Sequence, residues 1–345
     1  MNKSVVVGLS GGVDSSVAAY LLKEKGYKVY GVTMIQFDNP GFLSDAKKVA
    51  DFLNIEFGTV DMREKFRKEI CEYFANEYLK GRTPNPCSKC NPLIKWDALL
   101  DYAKKVGADF VATGHYARID LMNGRYSVKN SVTAAKDQTY ALAGLFQQQL
   151  SKTLMPLGDY TKEEVRRIAE SINLPVAEKK DSQDICFIDD NDYSGFLQSF
   201  TNKLPQKGNF VTEDGRVLGI HKGISHYTIG QRKGLNLSMG HPVFVTQIRP
   251  DINEVVIGES EDLFKKAFIC KEMNFMSGTS DLLPLRLKCK VRYAHKGSEC
   301  VLSQIGEDEY LVEFDEAVRA ITPGQSAVFY LDDYVFGGAF IERTI

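Results

Sequence analysis

Residues 5–16 read VVVGLSGGVDSS, a hydrophobic run followed by two glycines and a serine-bearing turn. The three valines favour a buried parallel strand, because both faces of such a sheet are covered. Gly11 and Gly12 have no Cβ, so the backbone there can turn sharply and lie close to a ligand. The free N–H groups of a helix that begins after them favour negative charge. The stretch therefore predicts a strand–loop–helix unit that binds a phosphate chain.

The loop of this unit differs from the two commonest phosphate-binding loops. It lacks the G-K-[ST] of a Walker loop and the G-x-G-x-x-G of a dinucleotide fold. SGGVDS, residues 10–15, instead resembles the PP-loop of the ATP pyrophosphatases, which cleave ATP to AMP and pyrophosphate. A plain connection in an α/β domain is the alternative, but the strand and helix on either side favour nucleotide binding. The resemblance implies an adenylated substrate without identifying it.

Length and composition indicate a multidomain globular protein. The 345 residues suit two or three domains, and 43% hydrophobic with 26% charged residues is typical of soluble proteins. The chain has no run of 18 apolar residues, and its first residues form neither a signal peptide nor an Arg-rich transit segment. We therefore expect a cytoplasmic protein without a membrane partner.

Cysteine number and charge restrict the partners further. Seven cysteines, an odd number, argue against a disulfide framework and for reduced thiols. A net charge of −2 provides no global attraction for nucleic acid, so such binding would need local patches. Two segments contain several cations and no acidic residue, namely 215–250 and 286–296.

The order of the predicted elements indicates the fold class. Strand-like and helix-like segments alternate to about residue 115, which predicts an α/β domain with a doubly wound parallel sheet and its site at the strands' carboxyl ends. Beyond about residue 195, short strands predict a small β-rich central domain and then a C-terminal β-barrel. The predicted helices of the first part are Ser15–Lys25, Ser44–Leu53 with Ser44 as N-cap, Glu64–Lys80 and Leu93–Val106. The expected domains are 1–195, 196–268 and 269–345.

One predicted barrel strand, LRLKCKVRY at 285–293, alternates strictly between apolar and cationic residues. Period-two alternation places all of its cations on one face. A solvated outer face is the plain explanation, but four cations without a carboxylate favour contact with phosphate. These cations are Arg286, Lys288, Lys290 and Arg292.

The segment GRTPNPCSKCNPLIKW, residues 81–96, contains a C-x-x-C pair, Cys87 and Cys90. Its three prolines are expected to stiffen a loop and suppress helix until about residue 93. The start of the following helix, together with Lys89 and Lys95, would stabilise a thiolate. A reactive thiol pair, half of a metal site and an inert structural pair all remain open at this point.

The other cysteines and histidines of the chain argue against a zinc site but leave an iron–sulfur cluster open. A zinc ribbon needs a second C-x-x-C or a histidine pair, and the sequence has neither. An iron–sulfur cluster held by Cys87, Cys90 and Cys186 remains open but is not favoured. Judged only by the residues around it, Cys186 would be expected to be a buried structural cysteine. The remaining cysteines are expected to be core residues, namely Cys71, Cys270, Cys289 and Cys300.

Eight motifs occur in order across nearly the whole chain: SGGVDSS, GRTPNPCSKCN, TGHYAR, KDQTYAL, PLGDYTKEEVR, DSQDICFI, YTIGQRKGL and RAITPGQ. Together they resemble the tRNA-specific 2-thiouridylase family. The resemblance implies a PP-loop domain of the adenine nucleotide alpha hydrolase type, a small central domain and a tRNA-binding β-barrel. It also implies ATP and Mg²⁺, a persulfide sulfur-donor protein, and tRNAs of the Lys, Glu and Gln types with a wobble uridine.

The same resemblance assigns roles to residues. Cys90 matches the family's nucleophile, and Cys186 matches the cysteine that carries a persulfide. The ATP-binding positions would be Gly8, Leu9, Ser10, Gly11, Gly12, Val13, Asp14, Ser15, Met34 and Gly114. The tRNA-contacting positions would be Asn85, Pro86, Cys87, His115, Lys136, Asp137, Gln138, Arg292, Tyr293 and Gln325. No metal ligand is assigned.

The chain departs from the family pattern at two places. Some members carry Asp where this chain has Cys87, so a general-base role of that Asp does not transfer. The loop after Met34 also lacks a Cys-rich insertion that many members have.

The implied reaction replaces the C2 oxygen of the uridine with sulfur after ATP has adenylated that oxygen. Either the persulfide attacks the carbon directly or Cys90 first reduces it to sulfide, and both routes can end in a Cys90–Cys186 disulfide. Two rivals remain: a PP-loop synthetase with a small substrate, and a non-catalytic tRNA-binding module.

Overall fold

The computed structural model describes residues 3–38, 41–180, 185–188, 192–202 and 204–345. Its first part is organised around the strand Ser4–Gly8, the middle strand of a five-stranded parallel sheet. Val5, Val6 and Val7 have no exposed surface, because helices cover both faces of this sheet. The sheet order is Glu56–Asp61, Lys28–Ile35, Ser4–Gly8, Phe110–Ala112 and Thr153–Leu154. The predicted α/β fold with a parallel sheet is confirmed.

Ten α-helical segments and two π-helical segments are present in the described part of the chain. The α-helices are Val13–Glu24, Gly41–Phe52, Arg63–Phe66, Glu72–Leu79, Pro86–Cys90, Asp97–Val106, Thr139–Leu142, Gln147–Leu150, Lys162–Ser171 and Tyr193–Thr201. The π-helical segments are Arg67–Cys71 and Asn91–Trp96. None of these helices combines the length and apolarity needed to cross a bilayer.

The helix predicted from Ser44 begins earlier than expected. It starts at Gly41, so Ser44 lies inside it and is not its N-cap. The first turn is held by Phe42, whose ring packs edge-on against Phe37 at 5.8 Å between centroids. This tertiary contact explains the extra turn.

The prediction of a loop before residue 93 is wrong. Helix begins at Pro86 and runs without interruption through Cys90 and the π-helical segment Asn91–Trp96 into Asp97–Val106. Pro86 suits a first helical turn, where a missing N–H costs nothing. Pro92 lies at the start of the π-helical segment, whose wider turn accommodates a residue that cannot donate an α-helical hydrogen bond. We call Pro86–Cys90 the cysteine helix.

The central domain is a four-stranded sheet with its own small core. Its strand order is Phe244–Arg249, Glu254–Gly258, Gly208–Val211 and Val217–His221. Phe210, Val245 and Val255 are fully or almost fully buried beneath it. This arrangement agrees with the β-rich central domain predicted from the sequence.

The C-terminal part is a closed six-stranded barrel, as predicted. Its strands follow the order Phe264–Phe275, Tyr310–Arg319, Ser298–Gln304, Leu285–Lys290, Ser326–Leu331 and Tyr334–Thr344, and the last strand pairs with the first. A hairpin from the first part of the chain, Arg118–Met122 and Arg125–Lys129, extends the barrel sheet through Tyr334. Sequence patterns did not indicate that this hairpin belongs to the barrel sheet.

Candidate active site

The PP-loop, residues 9–15, connects the central strand to the helix Val13–Glu24. Gly12 is the N-cap of that helix and has no side chain to satisfy its first N–H groups. Gly11 has a φ of +69°, and a Cβ there would lie 2.6 Å from the Phe42 carbonyl oxygen. The loop is therefore shaped for close approach by an anion.

Asp14, in the first helical turn after the loop, is held by two residues that are distant in sequence. The Lys162 ammonium lies 2.7 and 2.9 Å from its two carboxylate oxygens, and the Tyr116 hydroxyl donates a 2.8 Å hydrogen bond. Lys162 is buried, so this ion pair is shielded from solvent. Neither Lys162 nor Tyr116 was predicted as a site residue, although both lie in recognised motifs, PLGDYTKEEVR and TGHYAR.

A cavity of about 500 Å³ opens beside the PP-loop and brings together most of the predicted ATP-binding positions. Among its walls are Gly8, Leu9, Ser10, Asp14, Ser15, Met34 and Gly114. The same walls include Cys186, His115 and Gln138. Sequence analysis missed Thr33, Gln36, Phe37, Phe42 and Thr113 as lining residues. Thr33 and Thr113 adjoin predicted positions, so their neighbours offered a signal that was not used.

Cys90 is 5% exposed and is connected to this cavity through Gln36, one of the lining residues. It packs in an apolar cluster with Ile70 and Ile94, and the Gln36 amide donates to its sulfur at 3.6 Å. Burial raises the pKa of the Cys90 thiol to about 12, and the Lys95 ammonium offsets only part of that rise. The expectation of a thiolate favoured by a helix N-terminus is wrong for the free protein, since Cys90 is the last residue of the cysteine helix.

Lys89 does not serve the thiols as expected. Its ammonium pairs with Glu272 of the barrel at 3.0 Å and lies 4.5 Å from the ring centre of Tyr73 and 5.0 Å from that of Phe340. These contacts draw the side chain away from the cysteines. Lys89 therefore attaches the cysteine helix to the barrel.

The other two cysteines of interest are both exposed. Cys87 follows Pro86 at the start of the cysteine helix, where the Asn85 side chain accepts its N–H at 3.1 Å. Cys186 lies at the cavity wall, where desolvation by the surrounding protein raises the pKa of its thiol. In the described part of the chain, no group of three or more Cys, His, Asp or Glu residues is placed to hold a metal ion. The cysteines therefore give no support to the three-cysteine cluster.

His115 is a neutral imidazole at physiological pH. Burial lowers its pKa to about 3, its Nδ1 is hydrogen-bonded to the Thr113 hydroxyl at 2.8 Å, and its ring packs on Trp96 at 5.8 Å. It can accept or donate a hydrogen bond in the cavity but does not provide a positive charge there.

Several positions predicted to contact tRNA are held by hydrogen bonds within the protein. The Tyr293 hydroxyl donates to the Asp137 carbonyl at 3.1 Å, and the Gln138 side chain accepts the Tyr116 N–H at 2.8 Å. Gln325 donates to the Thr83 carbonyl at 2.6 Å, two residues before Asn85. The Asp137 carboxylate accepts the N–H groups of Ser131 and Thr139 and so shapes its own loop. Lys136 is half-buried in that loop.

The barrel cations predicted to be without carboxylates have other partners. Arg286 pairs with Asp315, and Lys288 lies 4.0 Å from Glu299. Lys290 packs over the ring of Tyr330 at 5.4 Å, and Arg292 donates to the Arg319 carbonyl at 3.1 Å. The prediction of a face without carboxylates is wrong, because neighbouring strands supply acids that the strand itself lacks.

Comparisons with known proteins cover the whole chain. Residues 3–190 match a family model described as the tRNA methyl transferase HUP domain, 194–259 match its PRC-barrel domain, and 265–341 match an aminomethyltransferase beta-barrel domain. The chain is 50% identical to a tRNA-specific 2-thiouridylase MnmA of Lachnoclostridium phytofermentans, with 99% of this chain and 100% of that protein covered. It is 48% identical to the protein of the same name from Clostridioides difficile, with 100% and 99% covered.

Matches at this identity over complete chains establish common descent, and the three regions follow in the same order as the three parts of the fold. The chain belongs to the MnmA family of tRNA-specific 2-thiouridylases.

Proposed function

We propose that this protein catalyses ATP-dependent 2-thiolation of the wobble uridine of tRNA. The observation that carries the proposal is a cavity lined by both the PP-loop and Cys186, with the buried Cys90 in contact with Gln36 of its wall. A phosphate-binding loop and one cysteine thus face the same space, and the second cysteine is one residue away from it. The relatives' name, tRNA-specific 2-thiouridylase, supports the same chemistry.

ATP would first activate the uridine, since a carbonyl oxygen is a poor leaving group. The C2 oxygen attacks the α-phosphate of ATP, pyrophosphate leaves, and the oxygen is then part of an AMP leaving group. The N–H groups after Gly12 are placed to bind the departing pyrophosphate. Mg²⁺ would neutralise further charge on the phosphates when bound. The Asp14–Lys162 pair holds the first turn of the helix at the loop.

Sulfur transfer would use both cysteines. Cys186 is exposed and so can receive persulfide sulfur from a donor protein. In one route the terminal sulfur attacks C2, AMP departs, and Cys90 attacks the Cys186 sulfur, which breaks the persulfide bond. In the other route Cys90 reduces the persulfide first, and the released sulfide attacks C2. Both routes leave a Cys90–Cys186 disulfide that an external two-electron reductant must restore.

The uridine would have to leave the anticodon stack to reach this cavity, at a cost of a few kcal/mol. We propose Asn85, Pro86 and Cys87 as the segment that meets it, because they form the start of the cysteine helix. The other tRNA-contacting positions named above are proposed on the same family basis. The Lys, Glu and Gln tRNAs remain the proposed substrates, with a protein persulfide as the sulfur donor.

A PP-loop synthetase acting on a small substrate is the second candidate. The PP-loop cavity alone would suit it equally well. Cys186 at the cavity wall favours sulfur transfer, because a synthetase that forms an amide needs no thiol beside its nucleotide.

The test is a thiolation assay on unmodified tRNA with Mg-ATP and sulfide, read as retardation in a mercury-containing gel. We expect a retarded band that requires ATP and disappears with Cys90→Ala. Cys186→Ala should lose activity with a persulfide donor and retain part of it with free sulfide. Cys71→Ala, which removes another buried thiol of the Cys90 cluster, is the matched control. Splitting of ATP to AMP without a retarded band would support the synthetase instead.

A further inference from the structure

We propose that Lys95 is the counter-ion of the anionic sulfur during transfer, acting on the thiolate of Cys90 and on the persulfide carried by Cys186. The inference rests on the function proposed above and assigns a role to a side chain that the reaction scheme leaves unused. Lys95 is half-buried and forms part of the cavity wall together with Cys186 and His115.

The first argument is the helical register. Cys90 ends the cysteine helix, and Asn91–Trp96 continues it as a π-helix. In an α-helix a residue five positions on is rotated by about 140° from the first, because each residue turns by about 100°. Hydrogen bonds between residues five apart widen the turn and bring Lys95 back toward the face of Cys90. Such π-helical segments are frequent at functional sites.

The second argument is the missing counter-ion. Lys95 has no carboxylate partner among the residues that the structure describes. Three other lysines around the loop and the cysteine helix are already paired, Lys89 with Glu272, Lys162 with Asp14 and Lys179 with Asp45. An ammonium that is partly removed from water without a partner is costly. An anion formed during the reaction would remove that cost.

The third argument is which groups this charge reaches. Lys95 lowers the pKa of Cys90, of Cys186 and of His115, and it is the one cation in the described structure that acts on both thiols. The other groups facing Cys90 are Cys87, Cys186 and the Gln36 amide, with neutral Cys71 in the same apolar cluster. Among the residues that the structure describes, no other cation lowers the pKa of Cys90.

The Lys95 charge should affect how readily the Cys90 thiol loses its proton. The thiolate, not the thiol, is the sulfur nucleophile, and the proton leaves to solvent when it forms. With its pKa raised to about 12 in the free protein, Cys90 is almost entirely protonated near neutral pH. Removing the Lys95 charge should raise that pKa further and make the thiolate scarcer.

The experiment is residue-resolved alkylation with iodoacetamide as a function of pH, with Cys90 and Cys186 read separately by peptide mass spectrometry. For Lys95→Met we expect alkylation of both cysteines to slow by about tenfold throughout the pH range in which the protein stays folded, one pKa unit being a tenfold change. Lys95→Arg should restore most of the rate. Lys104→Met, an exposed lysine near the end of the same helical stretch, is the charge-matched control.

An unchanged alkylation rate in a Lys95→Met protein that keeps the wild-type melting temperature would overturn the proposal. An equal slowing in Lys104→Met would also overturn it, because the effect would then be one of net charge. Alkylation needs neither tRNA nor ATP, so its outcome is separate from the thiolation assay. Failure of wild-type thiolation would reject the proposed function, whereas the alkylation rate alone decides the effect of Lys95 on the thiols.

Discussion

Two residues at the PP-loop, Gly114 and Asp14, are in close contact with neighbouring atoms. Gly114 follows the strand Phe110–Ala112, and a Cβ there would lie 2.6 Å from the Ser15 N and 2.8 Å from its Cα. Asp14 is fixed from the opposite side by Lys162 and Tyr116. These contacts position the helix start whose N–H groups face the cavity.

Gly114→Ala should displace that helix start, because the new methyl group meets backbone atoms that cannot rotate away. We expect the affinity for ATP to fall at least tenfold, about 1.4 kcal/mol, measured by titration calorimetry. Gly306→Ala is the matched control, since a Cβ there meets only the Glu309 residue at 3.4 Å or more. Equal ATP affinity in Gly114→Ala and wild type would show that the helix start is not part of the nucleotide site.

At the scale of elements, the cysteine helix depends on its two ends and on the barrel. Asn85 caps its N-terminus, and the π-helical segment continues it past Pro92. Lys89 joins it to Glu272, and the Ser326 hydroxyl donates to that of Ser88 at 2.8 Å. Five residues cannot form a stable helix alone, so these contacts supply what local propensity does not.

Asn85→Ala should destabilise the protein by about 1 kcal/mol, the usual cost of losing an N-cap. The physical reason is that the Cys87 N–H loses the side-chain oxygen that accepts it. Urea unfolding followed by circular dichroism measures the change. Asn85→Asp keeps the cap and should be close to wild type, whereas equal losses in both variants would rule out capping as the cause.

At the scale of the whole molecule, the catalytic part and the barrel are connected by strand pairing and buried ion pairs. The hairpin that ends at Lys129 pairs with the barrel strand at Tyr334. Arg82 bridges Glu77 at 2.8 Å and Glu342 of the barrel at 2.7 Å, and it is only 19% exposed. The two parts that flank the cysteine helix are thus joined by direct contacts.

Arg82→Ala should cost about 2 kcal/mol of unfolding free energy, because Glu342 loses its partner and Glu77 keeps only Lys80. Arg63→Ala is the matched control, since its pairs with Asp38 and Asp61 are exposed and should contribute much less. Denaturant unfolding of both variants tests the comparison. Similar losses would mean that the Arg82 bridge adds nothing beyond a surface pair.

The parts of this protein that depend on local chemistry can be predicted from its residues alone. Three consecutive valines predict a buried strand, two glycines and a serine-bearing turn predict an anion-binding loop, and the ordered motifs indicate the family. Strict alternation also predicted the two faces of the strand Leu285–Lys290 correctly, with Leu287 and Cys289 buried. Each of these signals lies within a few residues, so no distant contact is needed to interpret it.

Features that join distant residues became visible in the folded protein and not before. It placed Lys162 on Asp14, turned Lys89 toward the barrel, supplied carboxylates to the barrel cations and brought Lys95 and Cys186 to one cavity. It also buried Cys90, so that desolvation outweighs the local cations and raises its pKa. Burial and charge pairing depend on which elements pack together. Local sequence patterns do not show which residues will be neighbours in the folded chain.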